Sequence, residues 1–122
     1  MVQIGKAIGR EESALIGATV HELKTWPEYW DALAGGFKKV EIRKNDRSFR
    51  EGDYLLLRQW VPNRNTIRIS KGEEDELLVG EYTGRCVMAK VTHILTSHSP
   101  PGGLLPTGYV AMSIDVLDVK RE

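Results

Sequence analysis

The chain has 122 residues, 41% hydrophobic and 28% charged, which suits one globular domain around one core. Its 17 Lys and Arg are matched by 17 Asp and Glu, so it lacks the overall positive field with which basic tails coat long nucleic acid. No apolar run approaches the roughly 20 residues that span a bilayer, the start MVQIGKAIGREE lacks the apolar block of a signal peptide, and the lone Cys86 has no disulfide partner; the expectation is a cytoplasmic protein with no membrane partner.

Residues 1–18 carry weak periodicity and three glycines, and read as an N-terminal extension; the organised domain is expected over 19–119. Val20 to Lys24 has the composition of a short strand. Thr25-Trp26-Pro27-Glu28 then suggests a helix start, with Thr25 as cap, Glu28 completing a capping box and Pro27 in the first turn. Trp26, Tyr29, Trp30 and Leu33 follow the i, i+3, i+4, i+7 spacing that places them on one buried face of a helix from Trp26 to about Ala34. Gly35 and Gly36 supply its stop.

Every later signal is β. Lys38 to Arg43 alternates, Asn45-Asp46 makes a turn, and Asp53 to Trp60 alternates again. Val61 to Gly72 and the acidic run Glu73 to Glu76 read as a solvated loop. Arg85 to Leu95 predicts a long strand, the Pro and Gly residues between Thr96 and Gly108 a loop long enough to act as a lid, and Tyr109 to Val119 a last strand. Cys86, in the run CVMAKV, reads as strand packing. Several non-repeating strands with one early helix imply an α+β domain built on a small closed or nearly closed barrel.

Charge is concentrated in one place. Between Lys38 and Arg50 six basic residues face two acidic ones, a local excess of four positive charges that acidic residues elsewhere cancel. Nucleotide recognition needs a cation for phosphate, a flat surface for stacking and fixed groups for a base edge. The candidates for phosphate are Lys38, Arg43, Lys44 and Arg47, those for stacking are Trp26 and Trp60, and those for an edge are Glu41 and Asn45. Arg58 joins Trp60 by sharing a strand face, and Lys24 joins because it closes a strand beside a helix N-terminus, a place that suits anions. Parity allows Lys38 to meet Glu41 only where the strand bends or begins after Lys38. The competing reading is a Glu41–Arg43 pair across a strand face with solvated lysines.

The strings His21-Glu22-Leu23-Lys24-Thr25-Trp26-Pro27-Glu28-Tyr29, Gly36-x-Lys38-x-x-Glu41-x-Arg43-Lys44-Asn45-Asp46-Arg47, Gly52-Asp53, Tyr82-Thr83-Gly84-Arg85 and Gly108-Tyr109-Val110 resemble a family of unknown function in the ASCH branch of the PUA-like superfamily, over about Thr19 to Asp118. The resemblance implies a PUA-like mixed β-barrel with one principal N-terminal helix packed beside it, a cleft next to that helix, and binding of RNA or a modified nucleotide. A related ASCH enzyme hydrolyses acetylated cytidine with a lysine at the G-x-K position, a threonine three residues later and a distant glutamate. Lys38 matches the lysine, and Glu41 stands where the threonine would. A small amidohydrolase using Lys38 and Glu41 is therefore the alternative reading, and a protein-interaction module whose basic patch meets an acidic partner is a third.

No metal and no cofactor are expected. His21, His93 and His98 lack ligand spacing with Cys or acids, no G-x-x-x-x-G-K loop is present, and the run Ser97-His98-Ser99 does not by itself make a nucleophile and base.

Overall fold

The computed structural model describes residues 18–63 and 79–122. Among these residues five strands and one helix follow in the order β1 (Val20–Thr25), α1 (Pro27–Ala34), β2 (Val40–Lys44), β3 (Tyr54–Pro62), β4 (Gly80–Thr96) and β5 (Tyr109–Lys120). The strands form one mixed sheet in the order β1-β3-β4-β5-β2. β1 runs parallel to β3, with Leu23 opposite Leu57, while the other pairings are antiparallel. Parallel pairing of β1 with β3 requires a crossover, and α1 and β2 lie in it.

Alternation decides which face is buried. His21, Leu23 and Thr25 of β1, Leu55, Leu57 and Gln59 of β3, and Val110, Met112 and Ile114 of β5 all turn inward. Trp30 and Leu33 of α1 meet them, with Phe49, Val87, Ala89 and Val91 completing the core. Complete burial of Trp30, Leu33, Leu55, Leu57, Val87 and Val91 is worth about 1.5–3 kcal/mol per side chain against exposure, before conformational entropy is charged.

The helix starts one residue later than the sequence suggests, and without the capping box. Trp26 is the N-cap, makes no side-chain capping bond, and is followed by Pro27 at the first helical position, whose missing N–H leaves one fewer orphan donor. Thr25 is unavailable as a cap because it still belongs to β1, paired with Gln59 and turned into the interior. Tyr29 also departs from its expected place: it is 56% exposed, because α1 packs on β3, β4 and β5 mainly through Trp30 and Leu33, with Ala34 at the margin of the core. After the helix Gly36 takes φ 85°, a left-handed position that a side chain disfavours.

Strand lengths differ from expectation mainly at one end of the β3–β4 pair. β3 continues through Val61 and Pro62, and β4 begins at Gly80, opposite Pro62. Gly80 is required there, since a Cβ would stand 2.4 Å from the Val61 carbonyl oxygen and 2.6 Å from the Trp60 ring. The acidic run, most of the expected loop before it, and residues 1–17 lie outside the described residues.

The expected barrel does not close through backbone pairing. β1 and β2 are the two edges of the sheet, so the structure is an α+β fold with an open seam. Among the described residues no helix is long and apolar enough to cross a membrane.

Candidate functional site

The seam is where the charged strand comes to rest. Ile114 N–H donates to the Lys39 carbonyl and Asn45 N–H to the Gly108 carbonyl, so the alternation of an antiparallel ladder turns the backbone groups of Val40, Ile42 and Lys44 away from β5 and toward the seam. On the other side Tyr54 N–H donates to the Thr19 carbonyl, and the same logic in a parallel ladder turns those of Val20, Glu22 and Lys24 toward it. Two edges that pair with no other strand among the described residues therefore face each other.

Arginines bridge them. Arg43 Nη2 donates to the Lys24 carbonyl at 2.9 Å and Arg47 Nη1 to the Glu22 carbonyl at 3.0 Å, which are alternate carbonyls of the same edge. A rigid guanidinium fork suits this work, since it satisfies edge acceptors that would otherwise recruit another strand.

Above the bridge lies an open cleft of about 770 Å³ with walls from β1, the start of α1, β2 and the end of β3. Lys24, Lys38 and Lys39 bring charge to it, Trp26, Tyr29 and Trp60 bring rings, and Glu41 and Arg43 line its base. Glu41 is only 4% exposed, and both its oxygens are engaged. Lys38 Nζ donates to Oε1 at 2.8 Å, and Arg43 Nε donates to Oε2 at 2.8 Å with Nη2 at 2.7 Å from the same oxygen. Lys38 also donates to the Val40 carbonyl. Two cations on one carboxylate leave the triad with one net positive charge while removing the cost of a lone buried anion. The parity condition is met because β2 begins at Val40, leaving Lys38 free of the strand's alternation.

The lysines are positioned by rings. Lys24 Nζ sits 4.6 Å from the Trp60 ring centre and Lys38 Nζ 5.8 Å from that of Tyr29. Thr25 borders the cleft, with its Oγ1 buried and without a hydrogen-bond partner among the described residues.

Of the ten residues singled out in the sequence, Lys24, Trp26, Lys38, Glu41, Arg43 and Trp60 line this cleft and Lys44, Asn45, Arg47 and Arg58 do not. Asn45 holds the turn after β2, its Oδ1 accepting from Phe49 N–H at 2.9 Å. Lys44 is exposed at the end of β2. Arg58 pairs with Glu22 at 2.9 Å and lies over Tyr82. Sequence reasoning missed Tyr29, whose helical spacing reads as core, and Lys39, whose place on the outer edge of the cleft depends on where β2 begins.

Two other groups belong to the scaffold. His21 Nε2 and Asp53 Oδ2 are buried 2.8 Å apart, with Arg50 N–H donating to the same Asp53 oxygen and Phe49 edge-on to the imidazole, a tie between β1 and the approach to β3. Cys86 is half-buried, and that burial pushes its thiol up from the ordinary value against the opposing pull of Lys120 and Arg58, so the neutral thiol is favoured and nucleophilicity is low. Among the described residues no three His, Cys, Asp or Glu side chains gather as metal ligands would.

A family model described as a domain of unknown function, DUF3850, matches residues 20–114, which takes in both edges of the seam and every residue lining the cleft. An uncharacterized 12.9 kDa protein from the GpA 3' region of Escherichia phage P2 is 34% identical over 77 residues. That match covers 63% of this chain and 55% of the phage protein, so the chain is aligned with about half the length of this relative.

Proposed function

The chain belongs to the DUF3850 family, and we propose that its seam cleft binds a nucleotide of RNA or a modified nucleotide. The observation that carries this reading is the convergence of Lys24, Lys38 and Lys39 with Trp26, Tyr29 and Trp60 around one opening. Trp60 is covered by Lys24, so the rings a base can reach are Trp26 and Tyr29; stacking on such rings contributes about 1–3 kcal/mol per base, and the lysines meet the phosphate that follows. Glu41 is spent on holding Lys38 and Arg43 and orients the cationic side of the site. We also place the fold in the PUA-like superfamily as an ASCH-type domain; the motif strings over Thr19 to Asp118 support this, as does a sheet whose two edges face one another across an arginine-bridged seam.

The amidohydrolase reading has one observation in its favour, the hydroxyl-bearing Thr25 bordering the same cleft as Lys38 and Glu41. That hydroxyl has no base within hydrogen-bond reach, and both Glu41 oxygens accept from cations, so the nucleophile is not activated. Binding is the better-supported activity.

Thermal shift with nucleoside 5′-monophosphates, acetylated cytidine and short RNAs tests the proposal. A ligand at 100 times its dissociation constant raises stability by about 2.7 kcal/mol. Lys24→Ala with Lys39→Ala should remove the shift while leaving the unliganded melting temperature near wild type, since both lysines are exposed. Chromatography should recover the acetylated cytidine intact. Absence of a shift with every ligand, or a shift that survives the double substitution, would overturn the reading.

A further inference from the structure

The cleft does not end at Trp60. Cross-strand pairing places Arg58 opposite Lys24 and Tyr82 opposite Trp60, so the floor of the cleft continues sideways onto the outer face of β3 and β4. There the Arg58 guanidinium carbon lies 3.8 Å from the Tyr82 ring centre, and Glu22 Oε2 holds Arg58 Nη1 at 2.9 Å. Tyr82 is 42% exposed, whereas Trp60 beside it is 4% exposed beneath Lys24. Two cation-and-ring units therefore stand side by side, Lys24 on Trp60 and Arg58 on Tyr82.

We propose that Arg58 and Tyr82 form a second stacking subsite for the nucleotide adjoining the one in the cleft, so that the ligand is single-stranded nucleic acid and not a mononucleotide; this rests on the cleft reading above. The physical case has three parts. The guanidinium and the phenol ring cover one face of each other, and the surface the stack still offers, with Tyr82 42% exposed and the Arg58 side chain 34% exposed, is one on which any base can stack. Glu22 fixes the orientation of Arg58 in advance, which lowers the ordering cost of binding. Lys120 of β5, aligned with Cys86 and Cys86 in turn with Arg58, supplies one further cation for a phosphate on this row, beside the acids Glu22 and Asp118. A Glu22–Arg58 pair this exposed is screened by water and adds little to the fold, so stability alone does not explain the arrangement.

Fluorescence anisotropy with labelled octauridylate and octaadenylate, their deoxy counterparts, and calorimetry with uridine and adenosine 5′-monophosphates separates the two sites. Tyr82→Ala should weaken octamer binding roughly five- to hundredfold, the range of one lost stacked base, and leave monophosphate binding unchanged. Tyr82→Phe should keep octamer affinity because the ring remains, Arg58→Gln should weaken the octamers alone, and unchanged monophosphate binding in each variant shows that the fold is kept. The ribose and deoxyribose arms decide between RNA and DNA. If Tyr82→Ala leaves the octamers unaffected while Lys24→Ala with Lys39→Ala weakens both ligands, the subsite does not exist and the cleft reading stands. If Tyr82→Ala weakens both ligands equally, Tyr82 supports the cleft and is no separate subsite. If wild type binds neither ligand, the cleft reading fails and this inference with it; retention of an acidic peptide instead would make the face a protein interface.

Discussion

Glu41 is the residue on which the site depends most, because it is an acid inside a cationic patch. Its burial would be prohibitive alone, and it is tolerated because Lys38 and Arg43 each donate to a different oxygen. Glu41→Gln keeps the shape but leaves two cations facing each other. Breaking a buried ion pair costs about 3–5 kcal/mol. Lys38 and Arg43 retain about a quarter of their side-chain exposure, so water screens part of that loss and about 1–3 kcal/mol is expected. Trp30→Ala, by contrast, removes a fully buried ring and should cost roughly 3–5 kcal/mol. Urea denaturation of both variants beside wild type checks the order. Glu41→Gln as stable as wild type would mean that the triad is held by the cleft and not the reverse. The Glu41–Arg43 pairing was readable from their two-residue spacing on one strand face; the meeting of Lys38 with Glu41 depended on where β2 starts, which residue types alone leave open.

At the level of elements, the seam shows how an open sheet manages its edges. β1 would offer a row of free carbonyls to any passing strand, and Arg43 and Arg47 occupy two of them. Arg47 is therefore a bridge between elements, although its sequence context, a basic cluster after a turn, reads equally well as a phosphate contact. Arg47→Gln should speed hydrogen exchange of the His21 and Leu23 amides that pair β1 with β3, with little effect on amides of the β3–β4 ladder. Unchanged exchange together with weakened RNA binding would return Arg47 to the role of phosphate contact. The same consideration explains why Thr25 fails as a helix cap: the capping box is a local signal, and the β1–β3 ladder extends one residue into it.

For the whole molecule, equal numbers of acids and bases mean that long-range attraction contributes little, and binding must come from the cleft itself. Each phosphate neutralised on a single strand adds roughly 0.7 to the slope of log affinity against log salt. A cleft meeting about two to four phosphates should give a slope of magnitude roughly 1.4–2.8, and Lys24→Glu with Lys39→Glu should lower it by about 1.4. Titration of labelled octauridylate at several salt concentrations provides the slopes; an unchanged slope in the double variant would put the phosphates elsewhere. The α+β content, the short helix, the burial of Trp30 and the concentration of charge near Glu41 are legible in the residue order, because each follows from periodicity or spacing within a few residues. Only the tertiary structure decided that β1 and β2 are edges rather than neighbours, that Tyr29 faces the cleft, and that Arg47 serves the seam while Lys39 serves the opening. These depend on strand order and on contacts between residues such as Glu22 and Arg47 or Lys24 and Arg43, which lie 25 and 19 positions apart, and no local pattern encodes which edge a side chain will reach across that distance.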